Sequence, residues 1–143
     1  MRPRRIPPCL VPAALTAALA LAGCGGGPSF TAEEFVRDVN REGVKLKLGE
    51  PLITEEEGKE LYAVELEPLG GPRLDSEGEE AHNAGSLSAY DEAGEADAEY
   101  ETCRRSADLV CYQLANVVVV LEGGGLEADR LGVAIKKLAG EDD

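Results

Sequence analysis

Tryptophan is absent from this 143-residue chain, phenylalanine occurs twice and tyrosine four times. Carbohydrate sites lean on aromatic platforms, so a glycosidase reading finds little support. Acid pairs such as Asp91 with Glu95 add nothing to it, because 28 acids make such pairs unavoidable. The one histidine, His82, excludes an HExxH metalloprotease centre and any two-histidine metal site. A Ser-His-Asp arrangement would have to draw His82 from a loop, and no GxSxG or SxxK pattern accompanies it. GxGxxG and P-loop patterns are missing, as is any repeat of fixed period, and no cofactor is expected.

What is present begins with "MRPRR", three arginines and no acid, followed by an apolar run from Leu10 to Ala22. A bilayer-spanning helix needs roughly 20 apolar residues. This run has 13 and contains Pro12 and Thr16, so it fits the basic n-region and short h-region of an export signal instead. It closes in Leu21, Ala22, Gly23 and Cys24, which resembles the lipobox of bacterial lipoproteins: an aliphatic residue, two small residues, then the cysteine. The resemblance implies that the Cys24 thiol carries a diacylglyceryl group, that residues 1–23 are cleaved away as a lipoprotein signal peptide, and that the new amino terminus is acylated. It also implies a protein held by lipid on the outer side of the cell membrane or elsewhere in the cell envelope. Two or more acyl chains hold stably where one holds marginally. Residues 24–29, the lipidated cysteine with "GGGPS", then read as a flexible tether, and residues 30–143 as the folded domain.

Removing residues 1–23 leaves enough chain for one small domain with a real core. All 28 acids and 11 of the 14 Lys and Arg fall after residue 23, a formal charge of −17. Such a surface repels nucleic acid and anionic headgroups, so no nucleic-acid partner is expected; the charge also serves solubility alone. Cys9 leaves with the signal and Cys24 is taken by lipid, so Cys103 and Cys111 remain as a pair. Outside the cytoplasmic membrane a disulfide is the leading reading, with a redox or metal role as the alternative. The spacing is not CxxC, and two cysteines alone make a poor metal site.

Along the domain, "FTAEEF" carries a capping box of Thr31 with Glu34 and a hydrophobic staple of Phe30 with Phe35. It predicts a helix over about Ala32 to Glu42 that Gly43 ends. Val44, Leu46 and Leu48 alternate with lysines as a half-buried strand does, and Gly49 and Pro51 are expected to stop it. "LYAVELE" predicts a second strand, and a long exposed loop from Pro68 to Gly85 leads to a third in "GSLSAY". Apolar residues at helical spacing predict a helix from Asp91 to Ala107. Leu109 to Leu114 and Val117 to Glu122 form two strands around a turn at Ala115-Asn116, and four consecutive valines ask for burial on both faces. Leu126, Leu131, Ala134, Ile135 and Leu138 make a last amphipathic helix. The order predicts an α+β two-layer sandwich, an antiparallel-rich sheet of about five strands with three helices covering one face.

The acids Asp75, Glu77 and Glu79 alternate as in the opening of a calcium loop, but Glu80 and Ser86 stand where that loop needs glycine and glutamate. They are the only metal candidates, against a solvated charge run. The expected role is a non-catalytic, lipid-anchored envelope domain acting through protein contacts, with a membrane and an unidentified protein as partners. A small-ligand or cation-binding lipoprotein is the alternative, and an enzyme of unrecognised type a third.

Overall fold

The computed structural model describes residues 28–71 and 83–141. The first helix, α1 (Ala32–Arg41), starts where its cap dictates. Thr31 Oγ1 accepts the Glu34 N–H at 3.1 Å, and Glu34 Oε2 accepts the Thr31 N–H at 2.9 Å, so two amide groups at the helix start are satisfied reciprocally. Phe30 and Phe35 both enter the main core, and Gly43, at φ +94°, closes the helix in a left-handed conformation open to glycine.

Five strands follow: β1 (Leu46–Leu52), β2 (Lys59–Leu66), β3 (Asn83–Tyr90), β4 (Leu109–Leu114) and β5 (Val117–Glu122). They form one sheet in the order β1-β2-β3-β5-β4 with every neighbour antiparallel. Between them lie α2 (Ala93–Arg104), before β4, and α3 (Leu126–Leu138), after β5. The chain is therefore a small α+β domain with the expected three helices and five strands.

Strand β1 does not stop at Gly49 and Pro51. It continues through both with a register shift between Leu48 and Pro51. Two tertiary facts permit this: β1 is an edge strand, where proline forfeits no ladder bond, and a Cβ at Gly49 would lie 2.9 Å from the Ala63 carbonyl oxygen, so only glycine fits. Strand β3 begins at Asn83, two residues earlier than expected, and α2 is shorter at both ends than Asp91 to Ala107.

The helices also do not share one face. Val117, Val119 and Leu121 of β5 pack with Leu87, Leu66, Phe35, Val39 and Leu131 under α1 and α3. Val118 and Val120 point the other way, into a smaller cluster with Tyr90, Ala96 and Tyr100, and α2 covers them. Because side chains alternate along a strand, a run of valines makes both faces of β5 apolar. One face takes the α1 and α3 layer, and the other takes α2.

Two asparagine amides fasten α1 at its ends. Asn40 Nδ2 donates to the Leu46 carbonyl while its Oδ1 accepts the Leu46 N–H, at 2.9 and 2.8 Å. Asn116, 4 % exposed, does the same for Phe30: Oδ1 accepts the Phe30 N–H at 2.7 Å and Nδ2 donates to the Phe30 carbonyl at 2.9 Å. Nδ2 also donates to the Tyr90 carbonyl at 2.8 Å, and the Asn116 backbone carbonyl accepts the Tyr90 N–H at 2.9 Å. Replacing Asn116 with Ala strands buried backbone groups on both Phe30 and Tyr90. Urea denaturation of Asn116→Ala should show a loss of roughly 1–3 kcal/mol.

Candidate functional site

A polar constellation forms where the start of β2, the end of β3 and α2 meet. Ser88 and Tyr90 alternate with Leu87 and Ala89 along β3, so their hydroxyls face away from the main core and toward α2. Glu99 lies on the inward face of α2, three residues after buried Ala96 and four before buried Cys103. One of its oxygens accepts the Ser88 hydroxyl at 3.0 Å and the other accepts the Tyr90 phenol. Lys59 Nζ, on a side chain only 12 % exposed, approaches Glu99 at 3.9 Å and Glu56 at 3.3 Å. It also stands 5.3 Å from the centre of the Tyr90 ring, within cation–π range. A cleft of about 420 Å³ opens beside these groups, with Glu95 and Thr102 on its wall.

The electrostatics of the cluster close on themselves. Burial first, and then the hydrogen bond to Glu99, push the Tyr90 phenol well above its ordinary range and hold it protonated. Ser88 is almost fully buried and spends its hydroxyl on Glu99. Among the described residues no buried side-chain nitrogen or oxygen lacks a hydrogen-bond partner. The cluster thus fastens α2 to the sheet, with Lys59 as its internal cation. Gln113 adds a second fastening, donating from Nε2 to Asp97 of α2.

The third fastening is covalent. Cys103 at the end of α2 is joined to Cys111 of β4, with the Cα atoms 6.1 Å apart. It ties helix to strand as the order of elements implied. Of the other residues singled out from the sequence, Cys24 with Leu21, Ala22 and Gly23 lie outside the described residues, and so do Asp75, Glu77, Glu79 and His82. Among the described residues no three His, Cys, Asp or Glu side chains come together as a metal site.

No family model, curated protein or solved structure matches this chain.

Lys59, Ser88 and Glu99 were not singled out from the sequence. A signal existed for Glu99, an acid at the position where the apolar stripe of α2 meets Ser88 and Tyr90. For Lys59 there was none, because its partners come from α2 and the β1–β2 connection.

Two outcomes follow from these fastenings. Opening the disulfide by changing Cys103 and Cys111 to Ala should cost on the order of 2–3 kcal/mol in a chemical denaturation measurement, since the bridge closes a short loop. Tyr90 should also give the domain an alkaline limit. Its folded pKa lies above the unfolded value, so its contribution is complete below about pH 10 and is lost as pH rises through the folded value. Stability measured against pH should fall less steeply at the alkaline end in Tyr90→Phe than in the parent chain.

Proposed function

We propose that this protein is a lipid-anchored lipoprotein of the cell envelope whose folded domain works by binding another protein. The observation that carries the reading is the order of parts at the amino end: basic residues, a short apolar run, Leu21-Ala22-Gly23-Cys24, then a glycine-rich stretch that reaches Phe30. Two structural facts support it. The Cys103–Cys111 bond suits an oxidising compartment outside the cytoplasmic membrane. The polar cluster of Glu99 is satisfied within the fold, which fits a structural role for it and a domain that acts through its surface.

No helix among the described residues is long and apolar enough to cross a membrane, and in this reading the attachment is the lipid on Cys24. From Gly25 to Ser29 the chain reaches about 17 Å at full extension. The domain therefore works close to the bilayer, with most of its acidic surface free for partners carrying basic patches.

The cleft beside Lys59 and Glu99 supports a second reading, a small-ligand or cation-binding lipoprotein, because Glu56, Lys59, Glu95 and Glu99 all line it. Native and denatured masses of the membrane-extracted protein separate the two, since a bound molecule appears in the native mass alone.

The anchor is tested directly by Cys24→Ala expressed in the host. The variant should keep residues 1–23, lack the diacylglyceryl mass, and fail to be processed by the lipoprotein signal peptidase. Normal processing and lipid addition in that variant would sink the reading.

A further inference from the structure

The two edges of the sheet are built differently. Strand β1 carries the edge devices that discourage pairing: Pro51, a break in register, and the charges of Lys47 and Glu50. Strand β4, "LVCYQL", has no charge, no proline and an unbroken register with β5. The two-residue connection makes Leu114 and Val117 a hydrogen-bonded pair, so Tyr112 and Val110 also bond inward to β5. The backbone N–H and C=O groups of Leu109, Cys111 and Gln113 therefore point outward, and no described residue bonds to them.

We propose that β4 pairs with β4 of a second copy of this chain, antiparallel about a twofold axis at Cys111, to make one continuous ten-stranded sheet. The register follows from the exposed groups. Cys111 faces the partner's Cys111 and Leu109 faces the partner's Gln113, all outward-bonding positions. Val110 then lies beside the partner's Tyr112, a β-branched and aromatic pair of the kind that stabilises sheets. On a chain with so large an acidic excess, β4 is a strip where two copies meet without opposing like charges.

Helix α3 chooses a second copy over a foreign strand. A Cβ at Gly132 would lie 2.8 Å from the Tyr112 ring, so this side of α3 flanks the β4 edge. Asp129 and Lys136, three residues before and four after Gly132, share that side. Both are exposed, and neither makes an ion pair among the described residues. They stand about 10 Å apart along the helix, too far to pair with each other. The twofold axis that joins the β4 strands runs the two α3 helices antiparallel, so Asp129 of each copy meets Lys136 of the other. Exposed Val133 lies at the crossing. The interface is isologous and closes at two subunits.

The test uses the full chain in nonionic detergent, with mass by sedimentation or native mass spectrometry and amide hydrogen exchange. The expected results are a dimer that dissociates on dilution and slow exchange at the Leu109, Cys111 and Gln113 amides that becomes fast as it dissociates. Lys136→Asp should weaken the dimer roughly tenfold, and Asp129→Lys with Lys136→Asp should restore it, because both positions are exposed and the swap re-forms the pairs. Gln113→Pro and Leu109→Pro each remove an outward N–H that β5 does not use, and either should give a folded monomer. A monomer at every concentration overturns the proposal. So does a dimer in which those three amides exchange fast, or one that Lys136→Asp alone leaves as tight as the parent. Slow exchange only on addition of another envelope protein would assign the edge to a foreign strand and likewise overturn it.

Discussion

The fold depends on β5 being wanted on both sides. Val117, Val118 and Val119 are fully buried, and each contributes on the order of 1.5–3 kcal/mol relative to exposure only if both faces of the strand are covered. That requirement places β5 between β3 and β4, brings α1 and α3 to one face, and draws α2 to the other. The polar fastenings of α2 follow from it. A helix covering only two valines and a tyrosine has little apolar area of its own, and Ser88, Tyr90, Gln113 and Cys111 supply the remaining attachment to Glu99, Asp97 and Cys103.

Elements governed by local chemistry were legible in the sequence. The capping box and staple at Thr31 and Phe30 set the start of α1, the two strands around Ala115-Asn116 have the bounds that their patterns predict, and the apolar positions Leu126, Leu131, Ala134, Ile135 and Leu138 all fall in α3. Elements governed by neighbours distant in sequence were not. Gly49 and Pro51 read as terminators until β2 lies beside them, and the side that α2 takes depends on which residues of β5 it must cover. The paired cysteines were legible because two other cysteines have separate fates in the signal reading. The Lys59 and Glu99 cluster was not, since three separate segments meet there.

The polar groups of this domain are used with little redundancy. Glu99 serves a hydroxyl, a phenol and an ammonium at once, and the Asn116 side chain bonds two chain segments besides its own. A network in which every donor has one destination specifies a single arrangement of its members. Against such economy, the outer edge of β4, unlike that of β1, leaves its backbone bonds unmade within the described fold with no proline, charge or register break to guard them.

The two bonds between Asn116 and Phe30 also determine how the domain carries load. Any pull on the chain ahead of Phe30 reaches the fold at a residue held by both its N–H and its C=O, and the two bonds are stretched together rather than one after the other. Behind them stands the β4–β5 hairpin, whose inner strand is bonded on both sides. A tug transmitted from the amino end is therefore spread into the most deeply bonded part of the sheet before it reaches the first turn of α1. In the lipid-anchored arrangement proposed above, that would make the point of attachment a strain relief.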